Sequence, residues 1–388
     1  MLYQKALDNI LKNKKIKREG GYIAPPLPFK RLSDYYPVYD KGHSIALLAG
    51  TGVGKSTLLR FMFVYYLYKF YKETGYKLKI FYFPLEDSAE KVYYSFISHW
   101  LHAEKGIQIS IQELNSKGDR EMPDFVEEAL AEGLEYFKDF EKIVTVLDGY
   151  TEPKQIYNIM EKYAIKSGTI SKHEIDINGE KEVQSFYESD VHTFVLIDNM
   201  ANVDQGEDHN SEREAMTVLA KKYIRERLCN FFKFTCILLL QNDFQTERMQ
   251  FGSNGKAIMS KVEPSLASIG EAKTIARSMH VIFTLFDPSR FEFLRYPQVS
   301  EDNLDKAYDL DILGNKFRSL RIIKNNEGET GVRIGLLMNP LTGEFEELPR
   351  PESDEMKVIY RNFKDNKAKI SKSKGAINFE PPEDEMPF

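Results

Sequence analysis

At 388 residues, 42% of them hydrophobic, the chain is long enough for one large α/β domain with appendages or for two ordinary domains, and it should bury a sizeable core. A net charge of −6 excludes general electrostatic adhesion to nucleic acid or acidic membranes, so any polyanion site must be a local patch. The two cysteines, Cys229 and Cys236, lie in an apolar stretch, and the seven histidines show no metal-ligand spacing; disulfide and zinc frameworks are both poor readings, and a reducing compartment fits.

No apolar run approaches the length needed to cross a bilayer, and "MLYQKALDNILKNKKIKREGG" lacks a signal-peptide core, so the expectation is a soluble intracellular protein. Residues 2–12 place Leu2, Ala6, Ile10 and Leu11 on one face of a short helix, followed by a lysine-rich segment. A lone helix this short is marginal in water and should dock on its own domain or a neighbour's. Residues 1–20 are therefore set apart as a linker helix, and "IAPPLPFKRL" as a proline-stiffened connection into the main domain, residues 21–350.

From residue 44 short apolar runs alternate with longer amphipathic stretches, the pattern of a parallel sheet covered by helices. Strands are predicted at 44–48, 79–83, 143–147, 193–197, 234–240 and 280–286. Helices are predicted near 55–72, 88–104, 123–139, 152–165 and 211–232. Asn178-Gly179 between two short extended segments signals an inserted hairpin before the strand at 193. After residue 317 the pattern turns to strands, "RSLRIIK", "VRIGLLM" and "EFEEL", with turns at Glu327-Gly328 and Thr342-Gly343. From residue 351 the composition is lysine-rich and then acidic, ending "FEPPEDEMPF", and residues 351–388 are expected to be disordered.

"LLAGTGVGKSTLLRFM" carries a phosphate-binding loop of the form [A/G]-x-x-x-x-G-K-[S/T] from Ala49 to Ser56, with Ala in place of the stricter Gly at its first position. Gly50, Gly52 and Gly54 let the backbone N–H groups of Gly50, Thr51, Gly52, Val53 and Gly54 curl round phosphates without intruding side chains. Lys55 then reaches the β- and γ-phosphates, Ser56 offers a hydroxyl to Mg²⁺, and the helix through Thr57 points its positive end at the anion. A triphosphatase also needs an acid for the metal and a base or orienting group for water. Asp198 ends the apolar run of "HTFVLIDNM", where a carboxylate would face the loop and hold the metal's water shell. Glu86 follows the strand in "IFYFPLEDSAEKV", just before a helix capped by Asp87 or Ser88, and is the candidate water-activating base. Gln241 ends "CILLLQNDF", suited to sense the γ-phosphate by hydrogen bonding.

The order of lysine loop, "PLED", "VLIDNM", "LLLQND" and "RIIKNNEGETG" resembles the ring-forming replicative helicases of the DnaB type, the phage versions included, within the RecA-like class. The resemblance covers about residues 21–348. It implies an α/β fold, a RecA-like P-loop NTPase core with a mostly parallel twisted sheet flanked by helices. It further implies ATP and Mg²⁺ as cofactors, a homohexamer, and single-stranded DNA running through the ring. On it, Lys55, Ser56 and Asp198 match the phosphate and metal residues, Glu86 the catalytic glutamate, and Gln241 the glutamine that couples nucleotide state to DNA loops.

In the family a lysine, and an arginine two positions later, reach a neighbour's γ-phosphate; here Lys324 matches the lysine, while Asn326 stands at the arginine's position. Either Lys324 works alone, or Arg318 or Arg321 takes over, or hydrolysis is weak. The DNA-facing loops correspond to residues 202–214, which are acidic overall, and 244–262, which hold Arg248, Lys256 and Lys261 among glycines and serines. The amino-terminal helix matches in position the segment that docks on the adjacent subunit. The large collar domain of cellular DnaB proteins has no counterpart here, so the resemblance implies another surface for any primase contact.

The end of the chain, "INFEPPEDEMPF", looks like the acidic tip of bacterial single-stranded-DNA-binding proteins. That likeness implies a replication partner with an apolar pocket for Phe388 and basic residues for Glu383, Asp384 and Glu385. Three function readings follow: a DNA-dependent ATPase of the replicative helicase class, a RecA-like recombinase or repair ATPase, and a nucleotide-gated loader or scaffold. A bacterial cytoplasmic setting, with a virus-encoded origin, fits the resemblance to phage helicases.

Overall fold

The structure is a computed structural model and describes residues 2–177, 180–242 and 258–374. Thirteen strands are found among them: β1 (Ser44–Ala49), β2 (Leu78–Pro84), β3 (Val144–Val146), β4 (Thr169–Ile177), β5 (Glu180–Glu188), β6 (His192–Asp198), β7 (Thr235–Gln241), β8 (Val281–Phe286), β9 (Arg295–Tyr296), β10 (Tyr308–Asp309), β11 (Phe317–Asn325), β12 (Arg333–Asn339) and β13 (Glu344–Glu347). Nine form one sheet in the order β13-β12-β11-β8-β1-β7-β6-β2-β3. The run from β8 to β3 is parallel throughout, and β11, β12 and β13 extend it in antiparallel fashion. The architecture is α/β, mostly parallel with flanking helices, as the alternation of apolar runs and amphipathic stretches predicts.

The central strands read as unbroken apolar runs because helices cover both faces of the sheet. Period-two alternation sends Ile45 and Leu47 of β1 into the layer with Phe63, Leu67, Tyr82 and Phe283. Ala46 and Leu48 face the opposite layer, built with Val195, Leu238 and the helical residues Ile156, Met160, Ile224 and Leu228. The predicted helices are all present, at 55–74, 89–105, 124–143, 153–167 and 212–231, the first and last containing π-helical turns at Phe61–Tyr65 and Leu219–Phe231. Ser88, rather than Asp87, caps the helix after β2, its hydroxyl accepting from Lys91 N at 3.3 Å.

The inserted hairpin is the separate pair β4–β5, whose proposed turn residues Asn178 and Gly179 lie outside the described residues. The amino-terminal helix runs Leu2–Arg18, longer than the apolar spacing suggested, and leaves Tyr3, Ile10 and Leu11 exposed in the single chain. The expectation of disorder over 351–388 is corrected for Asp354–Lys374, which forms a helix. Met356, Ile359, Tyr360 and Phe363 recur at helical spacing, and they pack on Tyr296, Tyr308 and Phe317. Residues 375–388, with Phe388 and the acidic tip, lie outside the described residues. No helix of the described residues is long and apolar enough to cross a membrane.

Candidate active site

Because β8, β1, β7, β6 and β2 are parallel, their carboxyl ends share one edge of the sheet, where ligands bind in open α/β folds. Ala49 is paired with Gln241 and Pro84 with Asp198, so the sequence-predicted residues converge on this edge. β1 ends at Ala49, the chain turns through residues 50–54, and the helix begins at Lys55. Two positions in the turn require glycine. Gly54 has φ +104°, and an added Cβ would lie 2.8 Å from Met338 Sδ; Gly52 has φ +68°, and its Cβ would meet Arg290 at 3.0 Å.

Ser56 Oγ donates to Asp198 Oδ1 at 3.0 Å, and Tyr82 OH donates to Asp198 Oδ2 at 2.5 Å. Arg60, one turn past Ser56, donates to the Tyr82 hydroxyl at 3.4 Å. Asp198 is 5% exposed, and that burial raises its pKa above the usual carboxylate range against the pull of Tyr82 and Arg60. A hydroxyl and a buried carboxylate in contact, both hard oxygen donors at the start of a helix, form a donor set that fits Mg²⁺.

Gln241 Nε2 donates to Thr51 Oγ1 at 2.7 Å, placing the strand-end amide directly on the loop. Glu86 is exposed two residues past the end of β2, on the same edge. The rest of the loop is held by Arg290, which no motif marked, and by Arg318, which the sequence offered only as a substitute for the trans-acting arginine. Arg290, in the short 3₁₀ turn after β8, donates to the carbonyls of Thr51 and Gly52. Arg318 of β11 donates to Val53 O at 2.7 Å and pairs with Asp287 at 3.1 Å. With the carbonyls of residues 51–53 turned outward onto two guanidiniums, the loop's shape is set before any ligand arrives. Only the fold could reveal that these arginines hold the loop, since they stand more than 230 positions from it.

One expectation is corrected here. Arg318 is 6% exposed and engaged on its own loop, so it does not stand in for a trans-acting arginine. Arg321 is turned to Glu263 at 3.4 Å. Lys324 lies at the opposite edge: it pairs with Ile282, whereas the loop end Ala49 pairs with Leu285. Three residues of strand, about 10 Å, separate those levels, so Lys324 cannot serve its own chain's loop. Its ammonium donates to the carbonyls of Ala276, Arg277 and Met279, capping the helix Lys273–Ser278. Of the proposed DNA-facing segments, 202–214 is described and largely exposed; Arg248 and Lys256 lie outside the described residues, and Lys261 is exposed on the short helix Met259–Val262.

Comparisons with protein-family models and with curated proteins find no match. Among solved structures, a DnaB-like replicative helicase, described together with its interactions with primase, is similar over 89% of this chain at 15% identity and TM-score 0.60. This chain spans 66% of that one's length. The ATPase domain of a phage helicase is similar over 89% of this chain and 98% of its own, at 14% identity and TM-score 0.57. The chain has the RecA-like fold of the ATPase domains of DnaB-like replicative helicases.

Proposed function

We propose that the protein is an ATP-dependent DNA helicase of the replicative DnaB type, assembling as a homohexameric ring and moving on single-stranded DNA by hydrolysing Mg²⁺-ATP between subunits. The observation that carries the reading is the joining of Ser56 to Asp198 beside a glycine loop whose Thr51 is touched by Gln241. In this reading the backbone N–H groups of residues 50–54 and Lys55 hold the phosphates of ATP. Ser56 and Asp198 hold Mg²⁺, which neutralises phosphate charge when bound. Glu86 orients and deprotonates the attacking water, and Gln241 transmits the state of the γ-phosphate to the segment after β7. Lys324, on the far edge, acts on the nucleotide of the next subunit.

The exposed Tyr3, Ile10 and Leu11 of the first helix support docking on a neighbouring copy. Primase, named for the similar helicase, is a candidate partner, and the tail ending in Phe388 is proposed to recruit a replication protein. A second reading, a nucleotide-gated loader or scaffold with weak hydrolysis, is favoured by Lys324 resting on its own chain's carbonyls and by Asn326 beside it. A recombinase relying on Lys324 without an arginine is the third.

The test is steady-state ATP hydrolysis with and without single-stranded DNA over a protein concentration series, with Lys55→Ala as blank. Cooperative dependence on protein concentration with DNA stimulation supports the motor, and an unwinding assay then separates helicase from recombinase. Flat, DNA-blind turnover at the level of the blank refutes it in favour of the scaffold.

A further inference from the structure

At the edge of the sheet away from the phosphate loop, three side chains with metal-ligating chemistry converge. Asp40 and His43 precede β1, Glu327 follows β11, and one ligand atom of each lies within 4.8 Å of the other two. His43 is 7% exposed. Its Nε2 lies 2.9 Å from Glu327 Oε1, while Nδ1 lies 2.9 Å from the buried Tyr36 hydroxyl. The described hydrogen bonds to Asp40 reach its backbone carbonyl, from His43 N and Thr235 Oγ1; none from a described residue reaches its carboxylate.

A plain imidazole–carboxylate contact explains Glu327 but not Asp40. The cations in the neighbourhood are engaged elsewhere, Lys41 on the Ser189 carbonyl, Arg225 on His280 and Lys324 on the carbonyls at the end of the helix at 273–278. Two carboxylates therefore face one imidazole, with ligand atoms of all three within 4.8 Å of one another.

We propose that Asp40, His43 and Glu327 bind a divalent transition-metal cation of the Zn²⁺ class, at a site separate from the phosphate loop. One imidazole nitrogen with two carboxylate oxygens suits such ions, whereas Mg²⁺ and Ca²⁺ favour all-oxygen shells. Tyr36 completes the arrangement: with Nε2 on the ion, Nδ1–H donates to its hydroxyl and fixes the ring. Ligand bonds of about 2.0–2.2 Å require the three groups to draw together, which Glu327, 51% exposed in its turn, can do. The bound ion fastens the turn after β11 to the segment before β1, a contact already begun by Asn325 Nδ2 donating to Tyr35 O at 3.0 Å. It thereby stiffens the strand end that carries Lys324. The site does not depend on the ATPase reading.

The experiment is equilibrium dialysis of the chelator-treated full chain against Zn²⁺, with metal quantification and thermal denaturation. Wild type and Lys55→Ala are expected to bind one more ion per chain than Asp40→Asn or Glu327→Gln, with affinity at least about tenfold weaker in either variant and the Zn²⁺-dependent rise in Tm lost. Both substitutions are nearly isosteric; should one fail to fold by circular dichroism, the other decides. Equal binding by wild type and the folded variants overturns the proposal, as does loss of the ion in Lys55→Ala.

Discussion

Arg318 donates its Nε–H to the carbonyl of Val53 at 2.7 Å, joining an antiparallel strand of the sheet to the turn that receives phosphate. The same guanidinium pairs with Asp287, 3% exposed, so both charges are buried and each compensates the other. Removing the arginine leaves the buried Asp287 with Ser289, whose N–H and hydroxyl donate to Oδ1, and with the more exposed Arg290 at 3.4 Å, so the cost stays below the roughly 3–5 kcal/mol of a broken buried pair. Arg318→Met is therefore expected to lower stability in chemical denaturation by about 1–3 kcal/mol, from the lost charge-assisted bonds, and to weaken nucleotide binding. A variant as stable as wild type would mean that Arg290 and Ser289 alone satisfy Asp287.

Lys324→Ala separates stability from turnover. Its ammonium caps a short helix at a partly exposed site, so its loss should cost about 1 kcal/mol or less. If it acts on a neighbour's nucleotide, hydrolysis by the assembled protein should fall by on the order of 10³, in line with trans-acting cations. Mixing Lys324→Ala with Lys55→Ala chains then restores turnover at mixed interfaces, since each interface takes one residue from each chain. Absence of any such recovery, with assembly intact, would assign Lys324 to the helix cap alone.

Glu86→Gln and Asp198→Asn should fail differently. Glu86 is exposed at the strand end and holds no part of the loop, so its amide should leave folding and ATP affinity near wild type while turnover drops about 10²- to 10⁴-fold. Asp198 accepts from Ser56 and Tyr82, so the amide also disturbs the loop and should weaken Mg²⁺-dependent nucleotide binding. Fluorescent-nucleotide titration beside turnover distinguishes them. Tight binding by Asp198→Asn that needs Mg²⁺ as wild type does would argue against its metal role.

The loop, the positions of Asp198 and Gln241 at strand ends, and the places of the parallel strands along the chain were legible because each is local: an apolar run ending in a polar residue, or glycines ahead of a lysine. Arg290, Tyr82 and the loop-holding role of Arg318 were not, since what selects them is the juxtaposition of β8, β11 and β2 with the loop. The same holds for Asp40, His43 and Glu327, which look scattered until β11 returns along β8. The helix at Asp354–Lys374 was missed for a different reason. Its lysine-rich composition outweighed four apolar residues on one face, and those four supply the packing.

His99 gives the fold a pH dependence with a definite sign. Its ring stacks on Tyr65 at 3.6 Å, and Nδ1–H donates to Thr342 O at 3.1 Å, fixing the neutral tautomer in a mostly buried position. Burial pulls its pKa down from 6.5 to about 4, with the Thr342 bond opposing. Below pH 6.5 the unfolded chain takes up a proton that the folded chain refuses, so stability falls as pH drops and levels off once the folded ring also protonates near pH 4. The slope from this residue approaches about 1.4 kcal/mol per pH unit inside that window. His280, held down to about 3 by burial and Arg225, adds a loss of the same sign. Urea denaturation of wild type and His99→Gln from about pH 7.5 to about pH 5 should show the steeper decline in wild type, because the glutamine keeps a donor for Thr342 and cannot titrate. Parallel declines would mean that His99 protonates as readily folded as unfolded, and that its stack on Tyr65 opens in acid.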